Sequence, residues 1–515
     1  MNRPRVLLIN PKMCSKRSMR LPLSLLALGA VLEGRYDYQI IDGNVVADPT
    51  QTALDLLSDG IPSVVGISVM PGPQVAPAIQ VASALRAAYP AVPIIWGGYF
   101  PTLYAAAAIN APYVDYVVRG QGEDTLLELL ERIPEAGSPV PPASADNPEA
   151  MRGVRGLTWK DANGIQHNPD RPFRAPDDLP PLPYARVGNV EQYLRPSFMG
   201  ARTGVHQAAL GCRYHCTFCG VVSMFNGHTR LQAPARLVEA MTTLRDRYGA
   251  TSMQFYDNNF FDREETSVPL LEALSRMEMP YWCYARADTL AKFSTTTWEL
   301  IRRSRLRMAY IGAEAASDAV LAGMKKGTRV EHTLEVARRC REYGVIPEFS
   351  FILGGPDDPE GEIDKTLSFV KRIKAIHPEC EVILYFYSPT PQRAVTRGSS
   401  DTSRASLPIL SEYGPSGPSL PATPEEWTQP QWVNYVCHQD APWLSDRMRH
   451  RVKDFARVLA CRFPTVQDYR TPRWGKSVLR GLAGWRYASD RYENPWELDL
   501  AKRWIPLREP QKESL

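Results

Sequence analysis

Short apolar runs alternate with amphipathic, helix-length segments along this 515-residue chain, and the alternation comes in two blocks. In the first block RVLLIN, YQIID, SVVGISV, VPIIWGG and YVDYVVRG carry Val and Ile at consecutive positions, as strands buried on both faces do. Helical patterns such as QVAPAIQVASALRAAY and EDTLLELLERI lie between them. Strict alternation of this kind predicts a doubly wound, five-stranded parallel sheet of Rossmann-like type, because parallel neighbours need a crossover helix. Such sheets bind ligands beyond the carboxyl ends of their strands. The informative loops are therefore Asn10-Pro11, Asp42-Gly43-Asn44, SVMPGP with Ser68 and Met70, GGYFPT opened by Gly97 and Gly98, and GQGED with Gly120 and Glu123. No GxGxxG follows the first strand, which disfavours nicotinamide and flavin dinucleotides.

From about Gly204 the alternation resumes with GVHQAAL, SMQFYDNNF, YWCYARAD, RMAYIGAEA, PEFSFILGG and EVILYFYSP. Six strand–helix units predict a parallel barrel, either complete or a partial (βα)6 barrel, with its chemistry at the carboxyl ends of the strands. Between the blocks, the Pro-rich stretch from Ser138 to about Asp178 reads as a linker. It contains a small hairpin that turns at Ala162-Asn163-Gly164. The expected organisation is a sheet domain over 1–137, a linker over 138–195, the barrel over 196–395, and a mostly helical extension over 396–515.

Composition narrows the setting. A hydrophobic fraction of 44% with 23% charged residues is that of an ordinary soluble protein. Neither a signal peptide nor a membrane span is legible, which places the chain in the cytoplasm. Nine cysteines form an odd number, so reduced thiols are expected rather than a disulfide framework. The net charge of +4 conceals a basic end: from Asp446 onward 16 Lys and Arg face 9 Asp and Glu, +7, which leaves about −3 elsewhere. Trp427, Trp432, Trp443, Trp474, Trp485, Trp496 and Trp504 share that end of the chain. A nucleic-acid or membrane patch is one reading. The lack of a clean run of like charge favours a helical cap with solvated arginines, so no nucleic acid is expected and membrane contact is not favoured. We expect the extension to pack over the barrel opening and help to wall the substrate.

The segment GCRYHCTFCG places Cys212, Cys216 and Cys219 in CxxxCxxC spacing just after the first strand of the second block. Soft thiolates at this spacing select zinc or an iron–sulfur cluster. Zinc would take a fourth ligand from His206, His215 or His228, but structural zinc sites usually draw on two separated ligand pairs. Arg213, His215 and Thr217 between the cysteines argue against a plain core role. A cubane held by three cysteines keeps one iron open to a substrate.

With Phe218 before the last cysteine, the triplet resembles the hallmark of the radical S-adenosylmethionine enzymes. The resemblance implies that Cys212, Cys216 and Cys219 bind a [4Fe-4S] cluster and that S-adenosylmethionine chelates the fourth iron. By the same resemblance, Asp257 or Asn259 in FYDNNF would meet the methionine moiety. Glu314 and Ser317 in GAEAAS would approach the ribose or amino acid, and Gly354 and Gly355 in FILGGPDD would pass the adenine. Arg286 would support a carboxylate or form a surface salt bridge. The first block is similar to the cobalamin-binding module of the cobalamin-dependent branch, which implies that Ser68, Met70, Gly97, Gly98, Gly120 and Glu123 face a corrinoid. No histidine precedes His167, so that module offers cobalt no axial imidazole, an absence that also fits a sheet that has lost its cofactor. The implied activity is methyl transfer to an unactivated carbon, using a 5′-deoxyadenosyl radical and methylcobalamin. Its substrate would be a small molecule, and an external donor such as a flavodoxin or ferredoxin would supply electrons. Oxidative cyclisation or rearrangement without methyl transfer is the alternative; a further one is an electron-transfer or S-adenosylmethionine-sensing protein.

Overall fold

The computed structural model describes residues 5–16, 18–60, 64–133, 148–355, 358–388, 390, 420–441, 444–468 and 471–508. Residues 138–147 of the Pro-rich linker, Pro356 and Asp357 of FILGGPDD, residues 396–419 of the expected extension, and Trp443 lie outside the described residues. The chain forms two compact units. One comprises residues 1–193, 209–232 and 389–437, and the other residues 194–208, 233–388 and 438–515.

The first unit is built on β1 (Arg5–Asn10), β2 (Asp37–Asp42), β3 (Val64–Ser68), β4 (Ile94–Gly97), β5 (Tyr116–Val118), β6 (Leu157–Asp161) and β7 (Gly164–His167). Its sheet runs β2-β1-β3-β4-β5-β6-β7. The five expected strands are parallel, in the order 2-1-3-4-5 of a doubly wound sheet whose switch point lies between β1 and β3. The hairpin is not a free-standing linker element. It extends this sheet, β6 pairing antiparallel with β5 through Val117↔Thr158 and Val118↔Leu157. Without it the three-residue β5 would be an unpaired edge. Trp159 is fully buried in the hydrophobic cluster that also holds Tyr116 and Leu157, and its Nε1 donates to Asn168 Oδ1 at 3.2 Å.

A short ladder of β10 (Ala209–Gly211) and β11 (Thr229–Leu231) belongs to the same unit. β8 (Arg195–Ser197) and β9 (Gly200–His206) belong to the second. The expected run GVHQAAL thus divides between β9 and β10. β9 starts earlier than its apolar residues do, because hydroxyls satisfy its polar beginning: Thr203 Oγ1 donates to Ser197 Oγ at 2.8 Å and lies 2.9 Å from Ser252 Oγ.

The second unit continues with β12 (Ser252–Phe255), β13 (Tyr281–Arg286), β14 (Leu306–Glu314), β15 (Ile346–Leu353) and β16 (Glu381–Phe386). The order β16-β15-β14-β13-β12-β9-β8 gives six successive parallel strands with β8 antiparallel at one edge. β9 and β16 are not neighbours, so the barrel is partial.

The extension runs differently from expectation. Its first helices, Pro424–Trp427 and Pro430–Val436, belong to the first unit, where buried Trp427 packs against Tyr104 with ring centroids 4.1 Å apart. In the second unit, His438 O accepts from Phe386 N at the carboxyl end of β16. Helix Asp446–Arg462, about 25 Å long, then carries the chain along helix Pro359–Ile376, with Arg451 2.8 Å from Asp364. It ends at the amino ends of the strands. There Val466 N donates to Glu381 Oε1 at 3.1 Å, and Gln467 Nε2 reaches Glu381 Oε2 at 2.9 Å and Glu348 Oε1 at 3.4 Å. From Thr465 onward the extension therefore packs against the amino ends of β15 and β16, while its earlier residues His438 and Leu444 meet the carboxyl ends of the same strands. Two carboxylates buried at the starts of β15 and β16 need donors, and this segment supplies them.

Candidate cofactor sites

In the first unit, the loops after β1, β2 and β3 are knitted by buried amides. Asn10 Nδ2 donates to Asp42 Oδ1 at 2.9 Å, Asn44 Nδ2 to the same oxygen at 3.0 Å, and Gln74 Nε2 to Asn10 Oδ1 at 2.8 Å. Burial pushes the Asp42 carboxyl up, and its amide neighbours oppose the shift. The residues expected to face a corrinoid come to this same edge. Gly98 has φ +95°, and a methyl there would stand 3.1 Å from Ser68 Oγ, itself 3.3 Å from Ser24 Oγ. Met70 is 42% exposed while its backbone N donates to Gln74 Oε1 at 2.7 Å, so a thioether is presented on a fixed loop. Gly97 ends β4. Gly120, φ +71°, donates to Thr102 Oγ1 at 3.0 Å, and half-buried Glu123 opens helix Glu123–Leu130 with its carboxyl pushed up by burial. An edge made of glycine backbone, hydroxyls and a thioether fits a flat macrocycle that takes no imidazole from this domain.

The cysteine loop lies in the same unit. The β10–β11 ladder closes residues 212–228 at their base, where Gly211 has φ +78° and any side chain would overlap His228 O. Cys219 N donates to Cys216 O at 3.1 Å, folding the triplet into a turn. Cys216 is buried and Cys212 and Cys219 are half-buried, and none of the nine cysteines is in a disulfide. Phe218 O accepts from Thr390 Oγ1 at 2.9 Å. Of the histidines weighed as a fourth zinc ligand, the His215 ring lies over Gly227, His228 stacks on Phe173 at 5.5 Å, and His206 is buried at the end of β9. Among the described residues no three His, Cys, Asp or Glu side chains converge on one ion. A four-iron cube takes each thiolate on a different iron, so three thiolates on one turn fit it without sharing a centre.

Tyr99 was not singled out by sequence. It follows Gly98 in the loop after β4, and its phenol rests on Gly220, accepting that residue's backbone N–H; burial drives its ionisation far above the usual tyrosine range. The cysteine turn is thereby tied to the expected corrinoid edge by one side chain.

In the second unit, the barrel residues gather at the carboxyl ends of β12 to β15. Asp257 and Asn259 are 2% and 1% exposed. Neither Nδ2 nor Oδ1 of Asn259 has a hydrogen-bond partner, a cost of about 1–3 kcal/mol per group that calls for a ligand. A zwitterionic amino acid, with a carboxylate to accept and an ammonium to donate, matches both atoms.

Glu314 sits in the left-handed region, φ 62°, at a register shift of β14 against β15. The bulge re-aims its carboxylate, which is 2.6 Å from buried Lys326 Nζ and accepts from Ser350 Oγ at 3.3 Å. A methyl on Gly312 would overlap both charged groups. Arg286 is not on the surface: at 5% exposure it pairs with Asp288 at 3.0 Å and donates to Lys326 O. Ser317 caps helix Asp318–Gly323, its Oγ accepting from Val320 N at 3.5 Å. Gly354 has φ +79° and packs on Leu444, whereas nothing lies within 4 Å of a methyl built on Gly355. Lys326 escaped sequence reasoning because GMKKGT offers no periodicity that turns one lysine inward and its neighbour outward.

Residues 208–370 match the Radical SAM superfamily, and residues 20–130 match the B12 binding domain. An uncharacterised methyltransferase of Pyrococcus horikoshii is 23% identical over 355 residues, covering 68% of this chain and 73% of that protein. The cytidylyl-2-hydroxyethylphosphonate methyltransferase of Streptomyces wedmorensis is 24% identical over 403 residues, with the same shares. The anaerobic magnesium-protoporphyrin IX monomethyl ester cyclase of Cereibacter sphaeroides is 24% identical over 344 residues, 66% of this chain and 54% of that one. Among solved structures, the radical S-adenosylmethionine methyltransferase TsrM of Kitasatospora setae, with cobalamin and a [4Fe-4S] cluster bound, aligns at TM-score 0.60 and 20% identity over 76% of each chain. The cobalamin-dependent radical enzyme OxsB aligns at TM-score 0.59 and 18% identity, over 74% of this chain and 53% of that one. At these identities the shared property is the fold.

Proposed function

The chain belongs to the cobalamin-dependent radical S-adenosylmethionine enzymes, a B12-binding domain preceding a radical SAM domain, and from that membership we propose that it transfers a methyl group to an unactivated carbon of a small-molecule, lipid-like or tetrapyrrole-like substrate. The observation that supports methyl transfer is the pair of methyltransferase relatives whose similarity extends over 68% of the chain.

When bound, the cluster with S-adenosylmethionine supplies a 5′-deoxyadenosyl radical for hydrogen abstraction, and cobalamin supplies the methyl group. The protein's own part is to bind, orient and exclude water. Cys212, Cys216 and Cys219 anchor three irons as thiolates. The Asn259 amide would donate to the carboxylate and accept an N–H from the amino group of the methionine moiety. Glu314, held by Lys326 and Ser350, offers a carboxylate to the ribose hydroxyls, and Ser317 fixes the helix that follows. Gly355 leaves room for the adenine. On the other unit Ser68, Met70 and Gly98 line the corrinoid, and Tyr99 holds that loop to the cysteine turn. The electron comes from an external flavodoxin or ferredoxin, and the cytoplasm is the setting this chemistry requires.

The test is anaerobic reconstitution with iron, sulfide and hydroxocobalamin, then incubation of candidate substrates with methyl-labelled S-adenosylmethionine under reductant. Methyl transfer gives 5′-deoxyadenosine and a product that carries the label. The relation to the cyclase supports a second reading, oxidative cyclisation. That reaction would give 5′-deoxyadenosine with an unlabelled product. Binding of S-adenosylmethionine without 5′-deoxyadenosine would defeat both readings.

A further inference from the structure

Eight large hydrophobic side chains are exposed among the described residues, and six of them, Trp474, Val478, Trp485, Trp496, Leu500 and Trp504, fall on or just beyond the helices Arg473–Ala488 and Trp496–Lys502. Such clustering is not the scattered exposure of an ordinary surface. At about 100° per residue, Trp474, Val478 and Trp485 lie within about 40° of one another on helix Arg473–Ala488. By the same rule Trp496, Leu500 and Trp504 fall within about 80°, on and just beyond helix Trp496–Lys502. Neither stripe is the packing face. Leu479 and Ala483 of the first helix and Leu498 of the second are fully buried. The helices are antiparallel neighbours: Arg486 pairs with Glu497 at one end, and Gly475 packs on Ile505 at the other.

Charge identifies the partner. Helix Arg473–Ala488 carries Arg473, Lys476, Arg480 and Arg486 and no acidic residue. Among the described residues the exposed acids nearby are neutralised within the unit: Asp490 by Lys371 at 2.6 Å, Glu493 by Arg451 at 3.5 Å and Asp499 by Arg457 at 3.3 Å. Arg473, Arg480, Arg491 and Arg503 are exposed and form no ion pair among the described residues. Indole rings prefer the headgroup level of a bilayer, where the ring is half in hydrocarbon and its N–H stays wet, and unpaired arginines at that level meet lipid phosphates. No described helix is long and apolar enough to cross a membrane.

We propose that the helical pair 473–504 is a peripheral docking surface for an anionic lipid bilayer, the indoles inserting at headgroup depth and the free arginines contacting phosphate. The surface follows the segment that packs against the amino ends of β15 and β16, so it anchors the enzyme without occupying the carboxyl-end site.

The test uses the full-length, reconstituted protein with phosphatidylcholine vesicles, with and without phosphatidylglycerol. The expected result is co-sedimentation with the anionic vesicles, weakened by salt, together with a blue shift of tryptophan emission. Replacing Trp474, Trp485, Trp496 and Trp504 by Ser should reduce vesicle affinity at least about tenfold, with cluster content and S-adenosylmethionine cleavage unchanged. Four Arg→Gln changes at 473, 480, 491 and 503 should abolish the preference for phosphatidylglycerol. The proposal is overturned by absent binding at low salt, or by binding that the Trp variant retains. It is equally overturned by a vesicle-free dimer that the same substitutions dissociate, or by tight binding to duplex DNA that the arginine changes remove.

Discussion

The phenol of Tyr99 lies directly on Gly220, where a single added methyl would collide with the ring. One side chain from the loop after β4 thereby sets the position of the residue next to Cys219. Gly220→Ala is expected to push the cysteine turn away from the sheet and lower iron content. Tyr99→Phe, which loses only the hydroxyl that accepts the Gly220 N–H, should cost about 1–2 kcal/mol and keep the iron. Iron and sulfide analysis beside thermal unfolding separates the two outcomes.

Cys216→Ala removes one of three cluster anchors from a buried position. We expect a folded protein that fails to assemble a complete cluster and yields no 5′-deoxyadenosine, with corrinoid binding retained. Full reductive cleavage in this variant would refute the cluster assignment.

Lys326→Met leaves Glu314 with its carboxylate buried and its ammonium partner gone. The expected loss of stability is about 3–5 kcal/mol. Glu314→Gln in the same chain should recover much of it, since the pair is then neutral, while S-adenosylmethionine affinity stays low. Denaturant unfolding and equilibrium dialysis read the two effects independently.

Burial, then the neighbouring Glu381, pushes the Glu348 carboxyl up to about 8. A carboxyl raised in the folded state contributes its stability when protonated. That contribution is complete below the ordinary carboxylate range and is lost as the pH rises through about 8. The melting temperature should therefore fall between about pH 5 and pH 9, and Glu348→Gln should flatten the decline. A wild-type melting temperature that rises over this interval would contradict the assignment.

The loops after β3 and β4 present Ser68, Met70 and Gly98 but no imidazole. Cobalt bound at this edge is expected to lack nitrogen on its lower face, which eases formation of cobalt(I). Electron paramagnetic resonance of the cobalt(II) form should show each cobalt line unsplit by nitrogen. A threefold splitting would show that the cofactor's own base stays attached or that a later histidine reaches the metal, and would overturn the placement of the corrinoid against the Met70 loop.

The sequence by itself determined the two parallel sheets, because strands buried on both faces must be continuously apolar and parallel neighbours must be separated by helices. It determined the thiol triplet equally well, since three metal anchors on one turn have to be close in the chain. Tertiary structure decided what depends on partners remote in sequence. Lys326 meets Glu314 because a bulge turns the carboxylate inward. Thr465 to Gln467 serve Glu381 and Glu348 because helix Asp446–Arg462 has carried the chain along the length of the barrel. The hairpin joins the first sheet because β5 would otherwise end it. Apolar periodicity records which face of an element is buried. The partner a buried polar group finds there depends on the packing of whole elements, so those contacts emerge only once the chain is folded.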